Sequence, residues 1–161
     1  LFLFAASALL VNPVPIISAP AQAAYQSRSA ASFADQVYQR VNPAVVTVFA
    51  GREIGSGSIV NSSGLVITNN HVVRGNSGNV FVRTSTGERI SGRVLATDSR
   101  YDLALIQLES SGGLPSVRLA SNSNLGAGEP VLAIGSPYGR PGVMTTGTFT
   151  ASRGNGDLQS R

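Results

Sequence analysis

The fold of this chain is decided by one stretch, Leu65-Val66-Ile67-Thr68-Asn69-Asn70-His71-Val72-Val73-Arg74. Its apolar start predicts a strand over Leu65 to Ile67, and the polar residues after it predict a turn. The turn carries His71, the only histidine among the 161 residues. Imidazole is the side chain that exchanges protons near neutral pH, and it acts as a base when a carboxylate holds its other nitrogen. His71 is therefore a candidate general base, and the alternative is a histidine that only seals a polar turn.

The composition favours short strands joined by tight turns. Apolar residues make up 42% of the chain, charged residues only 12%, and there are 18 glycines. All 12 basic residues are arginines scattered singly, so no nucleic-acid partner is expected. The chain has no cysteine for disulfides, and one histidine with dispersed acids is too few ligands for a metal site. We expect no metal and no other cofactor.

The first residues predict an export signal. A short apolar run from Leu1 is broken by prolines and is followed by Ala21-Gln22-Ala23, the small-x-small pattern of a cleavage site. Residues 1–23 are thus predicted to be a signal peptide without its basic n-region, which implies a truncated start. A membrane anchor is the alternative, but the prolines interrupt the run before the roughly 20 residues that span a bilayer. We expect an exported protein, periplasmic or extracellular, with no stable membrane insertion after signal removal.

A leader and a short helix come next, over residues 24–43. Ser32 is the predicted N-cap, and Phe33, Val37 and Val41 recur at helical spacing on one face. Asn42-Pro43 predicts the end of the helix, because proline removes a backbone donor.

The rest of the chain predicts strands. Two of them flank the four-residue loop Asn61–Gly64 and form a hairpin. The run Leu103–Leu108 is nearly continuous in apolar residues, as expected for a buried strand. Strands at this spacing predict an antiparallel barrel or sandwich. The predicted strands are Val45–Phe49, Ser56–Val60, Leu65–Thr68, Val80–Arg83, Arg89–Ala96, Leu103–Leu108, Pro130–Gly135 and Gly142–Ser152.

Asp102 is the candidate carboxylate for His71. It lies where a turn leads into the most apolar strand, so an ionised carboxylate there is expected to lose hydration, at a cost of several kcal/mol unless it is paired. The alternative is a turn aspartate bonded to nearby backbone amides. Asp98, four residues earlier, sits in an Asp-Ser-Arg sequence that is a plainer turn signal.

Four stretches together resemble the trypsin-like serine proteases of the bacterial HtrA/Deg type. They are Gly55-Ser56-Gly57-Ser58-Ile59, the Thr-Asn-x-His-Val-Val pattern within Leu65–Val73, Asp102-Leu103-Ala104-Leu105, and the glycine-proline turn in Val131–Gly139. The resemblance covers about Ser32 to Arg153. It implies an all-β fold of two six-stranded barrels with the site between them.

The resemblance also implies the division of the chain and the roles of two residues. The first barrel would occupy residues 44–121 and be complete, with Ser121–Asn124 as a candidate connection. Residues 122–161 would begin a second barrel, with room for two or three strands, too few to close it. His71 corresponds to the general base, and Asp102 to the residue that orients it.

No stretch of this sequence matches the motif that carries the nucleophilic serine of these proteases. The family places its serine in Gly-Asn-Ser-Gly-Gly late in the second barrel, and we expect it beyond Arg161. In the similar Gly75-Asn76-Ser77-Gly78, Ser77 lies only six residues after His71, and Asn79 stands in place of the second glycine, so we interpret this stretch as a glycine-rich turn. No serine stands in the Gly-x-Ser-x-Gly pattern of the α/β-hydrolases either.

The predicted function is that of the N-terminal part of an exported serine endopeptidase. The resemblance implies polypeptide substrates that are unfolded or damaged, and homo-oligomers, which are trimers in many relatives. The 161 residues alone are expected to be inactive. Two alternatives stay open: a pseudoprotease whose serine is replaced, and a β-barrel binding module without catalysis.

Overall fold

The fold was established from a computed structural model that describes residues 33–76, 79–120, 125–152 and 158–160. The predicted signal peptide and leader, together with Ser32, Ser77 and the connection Ser121–Asn124, lie outside the described residues. Within those ranges, no helix is both long and apolar enough to cross a membrane.

A short helix and nine strands dominate the described chain. Helix α1 covers residues 33–41 and continues into a 3-10 turn at Asn42–Ala44, where the sequence predicts the helix end. A second helix, α2, is a single turn. The elements are β1 (Val45–Ala50), β2 (Glu53–Ile59), β3 (Leu65–Thr68), α2 (Asn70–Val73), β4 (Asn79–Arg83), β5 (Arg89–Asp98), β6 (Leu103–Leu108), β7 (Pro130–Gly135), β8 (Val143–Ser152) and β9 (Leu158–Ser160).

The first six strands form a closed barrel in the order β1-β2-β3-β6-β5-β4, with β4 pairing back onto β1. All of these pairings are antiparallel. Closure gives every strand two hydrogen-bonded neighbours and leaves no free edge. The structure thus decides for a barrel over a sandwich and confirms the all-β, two-part fold that the resemblance implied.

Alternating side chains fill the interior of the barrel. Val48, Val66 and Ile106 are completely buried there, and burying such a side chain stabilises the fold by about 1.5–3 kcal/mol. The prediction that β6 is buried throughout was wrong, because a barrel strand has an inner and an outer face. Leu103 is 48% exposed on the outer side, where it lines a groove of about 260 Å³ with Ile67 and Leu105.

The loop of the β2–β3 hairpin lies at the end of β3 opposite His71, which we call the far end. The loop is held by Asn61, whose Oδ1 accepts hydrogen bonds from the backbone N–H of Ser63 and Leu65 at 3.1 and 3.0 Å. The segment after β6 covers this end, since Leu114 and Val117 pack against the barrel core. The antiparallel pairing of β2 with β3 confirms the predicted hairpin.

A three-stranded sheet, β7-β8-β9, follows the barrel in the chain, in agreement with the two or three strands predicted there. Its first hairpin is fastened to earlier parts of the chain by buried polar contacts. The hydroxyls of Thr47 and Ser136 are hydrogen-bonded and completely buried, and the Ser136 backbone N–H donates to Ser56 Oγ at 2.7 Å. The Tyr38 hydroxyl donates to the carbonyl of Gly142 at 2.9 Å. These bonds fix where the sheet begins relative to β1 and β2.

Candidate active site

His71 lies in the single-turn helix α2, at the opposite end of β3 from Asn61. The sequence predicted a polar turn here, and the structure shows one helical turn instead. Four residues are too few for a helix to be stable in isolation, so tertiary contacts must hold this turn. Val72 and Val73 supply part of them, because both are buried in the barrel core.

Two glycines of β2 leave room for close packing, Gly55 against α2 and Gly57 within the barrel core. A Cβ atom built on Gly55 would overlap the methyl groups of Val72. One built on Gly57 would come within 2.8 Å of Val66 and 2.9 Å of Val48. These clashes give a physical reason for the Gly-x-Gly pattern quoted above, since any larger residue at position 55 would push the helix, and His71 with it, off the barrel.

Asp102 and Asp98 occupy the turn between β5 and β6, and they have different partners. Asp98 accepts hydrogen bonds from the backbone N–H of Arg100 and Tyr101 at 2.8 and 3.2 Å, which is the local turn role the sequence predicted for it. Asp102 instead reaches the neighbouring loop and contacts His71. The structure thus gives different hydrogen-bond partners to two acids that lie only four positions apart in the sequence.

His71 and Asp102 contact each other through two hydrogen bonds, an arrangement that we call a two-point contact. Nδ1 of the imidazole lies 2.7 Å from Oδ2 of Asp102, and the backbone N–H of His71 donates to Oδ1 at 2.9 Å. A third bond joins the loops, as the backbone N–H of Asn70 donates to the carbonyl of Asp102 at 3.1 Å. The aspartate therefore provides acceptors for the first backbone donors of α2, a role usually filled by the side chain of the N-cap residue.

The electrostatics of the pair follow from these bonds. The backbone N–H of His71, followed by its ring nitrogen, holds the pKa of Asp102 below its ordinary value. The side-chain amide of Asn69 acts in the same direction and partial desolvation opposes it. Asp102 is thus ionised at neutral pH and accepts a hydrogen bond from Nδ1–H, so the neutral ring keeps the lone pair on Nε2.

Both side chains remain in contact with solvent, with 59% of the His71 side chain and 44% of the Asp102 side chain exposed. The expected loss of hydration at Asp102 is therefore only partial. The carboxylate precedes the first residue of β6 and sits on the rim of the barrel, outside its apolar interior. Hydrogen bonding, with burial acting against it, accounts for the lowered pKa.

The structure brings together the two site residues that the sequence proposed and adds others that it did not. Ser77, which was interpreted as part of a glycine-rich turn, lies outside the described residues. Asn69 was treated as an ordinary turn residue, yet its amide donates to Asp102. Asn69 belongs to the Thr-Asn-x-His-Val-Val pattern quoted above, but that pattern does not point to a partner 33 positions away.

A closed antiparallel barrel with a His–Asp pair on its rim is the arrangement of the trypsin-like fold. Residues 55–161 match the model of the trypsin-like peptidase domain family. The chain belongs to the trypsin-like peptidase family. Within it, the chain is similar to serine proteases of the HtrA/Deg type.

Two curated relatives and one crystal structure illustrate the similarity. A probable serine protease do-like of Buchnera aphidicola is 43% identical over 101 residues, which are 62% of this chain and 21% of the relative. Serine protease HTRA1 of Xenopus tropicalis is 37% identical over 142 residues, 81% of this chain and 31% of the relative. The crystal structure of the serine endoprotease from Yersinia pestis superposes with a TM-score of 0.72 at 30% identity, covering 78% of this chain and 47% of that one. The chain therefore spans less than a third of the length of these two curated relatives.

Proposed function

We propose that this chain carries the general base and the orienting acid of a serine endopeptidase, His71 and Asp102. The observation that carries the proposal is the two-point contact, in which Asp102 binds both the ring Nδ1 and the backbone N–H of His71. Such a contact fixes the position of the ring as well as its tautomer. An aspartate that only closed its own turn would bond like Asp98.

In the proposed reaction, Nε2 of His71 takes the hydroxyl proton of a serine in the whole protein while the serine oxygen attacks the substrate carbonyl. The imidazolium then gives that proton to the leaving amine, and water later releases the acyl group by the same route. Asp102 keeps the ring in the Nδ1–H tautomer and stabilises the imidazolium. The proposal assigns the attacking serine to none of the described residues.

We also propose polypeptide substrates that are unfolded or damaged, and a location outside the cytoplasm. Support for the location comes from the small-x-small pattern at Ala21–Ala23 and from relatives named as probable periplasmic serine endoproteases in Pseudomonas. N-terminal sequencing of the exported protein is expected to begin at Ala24. An uncleaved terminus would contradict the signal peptide. A homo-oligomer, trimeric by analogy, is part of the same proposal and is tested by sedimentation of the whole protein.

For the domain organisation, we propose a first barrel domain over residues 44–121 and a second unit from 122 onward. The closed strand order of β1–β6 supports the first of these. Limited proteolysis is expected to cut near residues 121–124 before it cuts within either unit.

The deciding experiment is active-site labelling of the whole protein with a fluorophosphonate, followed by identification of the labelled peptide. We expect one labelled serine, no detectable labelling in a His71→Ala variant, and loss of peptide hydrolysis in the same variant. A folded protein that is not labelled and hydrolyses nothing would favour the pseudoprotease or binding-module alternative.

The 161-residue chain by itself is expected to show no peptide hydrolysis. Turnover by this chain that disappears in Ser77→Ala would instead make Ser77 the nucleophile and overturn its interpretation as a turn residue. The same measurement on His71→Ala separates genuine turnover from a contaminating protease.

A further inference from the structure

Asn69 occupies the N-cap position of α2 but does not act as a local cap. Asparagine at this position normally accepts a hydrogen bond from a backbone N–H of the first helical turn. Here the side chain makes no such bond. Its absence indicates that the amide has another function.

The amide of Asn69 donates to Asp102 at two points. Nδ2 lies 3.1 Å from the backbone carbonyl oxygen of Asp102 and 3.2 Å from its carboxylate Oδ2. Both of these partners are acceptors only, so the NH₂ group, and not the amide oxygen, must face them. The bond to Oδ2 falls on the same oxygen that contacts the ring of His71.

The backbone of Asp102 has an unusual conformation, which these two contacts help to hold. Its φ is +52°, in the left-handed region that residues other than glycine rarely occupy. Among the described residues, Tyr138 is the only other non-glycine residue with a positive φ. Such a conformation persists only when surrounding contacts hold it. Two donors converge on the Asp102 carbonyl, the backbone N–H of Asn70 and the amide of Asn69.

We propose that Asn69 is a positioning residue, which holds the backbone and the carboxylate of Asp102 together so that Oδ2 faces Nδ1 of His71. The proposal deepens the proposed function and rests on it. The ring needs its partner oxygen at a fixed place, and of the side chains described it is Asn69 that binds both halves of the aspartate. Its side-chain hydrogen bonds go to Asp102, so it acts on the ring through Asp102.

Three variants of the whole protein test this. Asn69→Ala removes the amide, and Asn69→Asp keeps the shape but replaces the donor with a carboxylate facing two acceptors. Asn61→Ala is the matched control, because Asn61 flanks the other end of β3 and also bonds through its side chain, but only within its own loop. If Asn69 were only a spacer, Asn69→Asp would behave like the wild type.

The kinetic result expected is a fall in kcat of about 10-fold to 100-fold for Asn69→Ala, the cost typical of a misplaced catalytic group. KM should stay close to the wild-type value, because no substrate contact is removed. Asn69→Asp should be slower still, and Asn61→Ala should keep the wild-type kcat. Wild-type kcat in Asn69→Ala, or a faster Asn69→Asp than Asn69→Ala, would overturn the proposal.

Nitrogen NMR of the His71 ring, assigned by its loss in His71→Ala, gives an independent readout. The wild type should show the Nδ1–H tautomer, and Asn69→Ala a mixture of both tautomers, whereas a merely structural residue would change stability and leave the tautomer alone. In the wild type, an Asn69 amide proton should exchange slowly with water. Exchange as fast as that of a free amide would overturn the proposal even if neither Asn69 variant folds.

The two proposals fail in different ways. If His71→Ala keeps full activity, the proposed function is wrong, while the tautomer still decides whether Asn69 positions Asp102. If His71→Ala is inactive but the Asn69 variants match the wild type in kcat and tautomer, the role of Asn69 alone is wrong.

Discussion

The two ends of strand β3 carry loops of similar composition and different organisation. At the far end, the Asn61 side chain accepts bonds from residues two and four positions away. At the other end, which we call the site end, the Asn69 side chain and the His71 backbone bind Asp102, 33 and 31 positions away. The Asn61 side chain bonds only within its own loop, whereas the Asn69 side chain bonds to a second loop.

This difference shows how a barrel uses the same polar residues for two purposes. A loop that satisfies its own donors stabilises a turn and can be altered without effect elsewhere. A loop that depends on a distant partner fixes two parts of the chain relative to one another, which is what a base and its orienting acid require. We therefore expect substitutions at the far end to change stability, and substitutions at the site end to change catalysis.

The largest effect should come from Asp102→Asn. In the whole protein we expect kcat to fall about 10,000-fold, the loss typical when the orienting carboxylate of a Ser-His-Asp triad becomes an amide and the ring takes the wrong tautomer. Asp98→Asn in the same turn is the matched control and should change kcat by no more than about twofold, as for other exposed sites. Equal losses in the two variants would remove the distinction between the acids.

Gly55→Ala tests whether the packing of α2 against β2 affects kcat as strongly as the hydrogen bonds between α2 and Asp102 do. The added methyl would overlap Val72, so the helix must move outward and carry His71 away from its place. We expect kcat to fall about 100-fold, because a displacement near 1 Å is enough for that. Gly126→Ala is the control, since its methyl would meet only the flexible end of Glu129. Unchanged kcat in Gly55→Ala would show that the site tolerates movement of α2.

Asn61→Ala should show the opposite behaviour, a loss of stability without a loss of activity. The variant removes an acceptor that serves the N–H groups of Ser63 and Leu65 as well as the Ser63 hydroxyl. We expect the free energy of unfolding to drop by about 1 kcal/mol, the usual net value of such bonds. Urea unfolding followed by circular dichroism measures it. A matching loss of kcat would mean that the two ends of β3 are coupled.

The smallest effect is expected in the acid dependence of stability. The pKa of Asp102 is held below its usual value, chiefly by the backbone N–H of His71, so the ionised carboxylate stabilises the folded chain. That contribution is full above the unfolded-state pKa of about 3.9 and is lost as the pH falls through the lower folded-state pKa. Unfolding free energies of wild type and Asp102→Asn should therefore differ at neutral pH and converge in acid. A gap that stays constant down to about pH 2 would contradict this.

Features that depend on neighbours in the chain could be predicted from the sequence. Alternating apolar residues predicted the strands, and the Asp98 turn and the loop after Asn61 were predicted because their bonds close within a few residues. The residues themselves made His71 and Asp102 candidates, and the resemblance supplied the barrel pair and the roles of the two residues. Their actual contact rests on two loops meeting, which no local pattern records.

The predictions that failed have three separate physical causes. Helix α2 was missed because part of its first turn is bonded to Asp102 and not to its own N-cap side chain. The burial of Leu103 was overestimated because an apolar run does not say which face of a strand looks outward. The exposure of Asp102 was missed because proximity to an apolar strand was taken as burial.

The capping of α2 by Asp102 also has a consequence for the order of folding. A four-residue helix has little stability of its own, and a contact between residues 31 positions apart forms only after the intervening chain has closed. The imidazole therefore has no fixed partner until β6 has docked against β3. We expect the His71 ring to have no fixed orientation in nascent and partly folded chains until the barrel has formed.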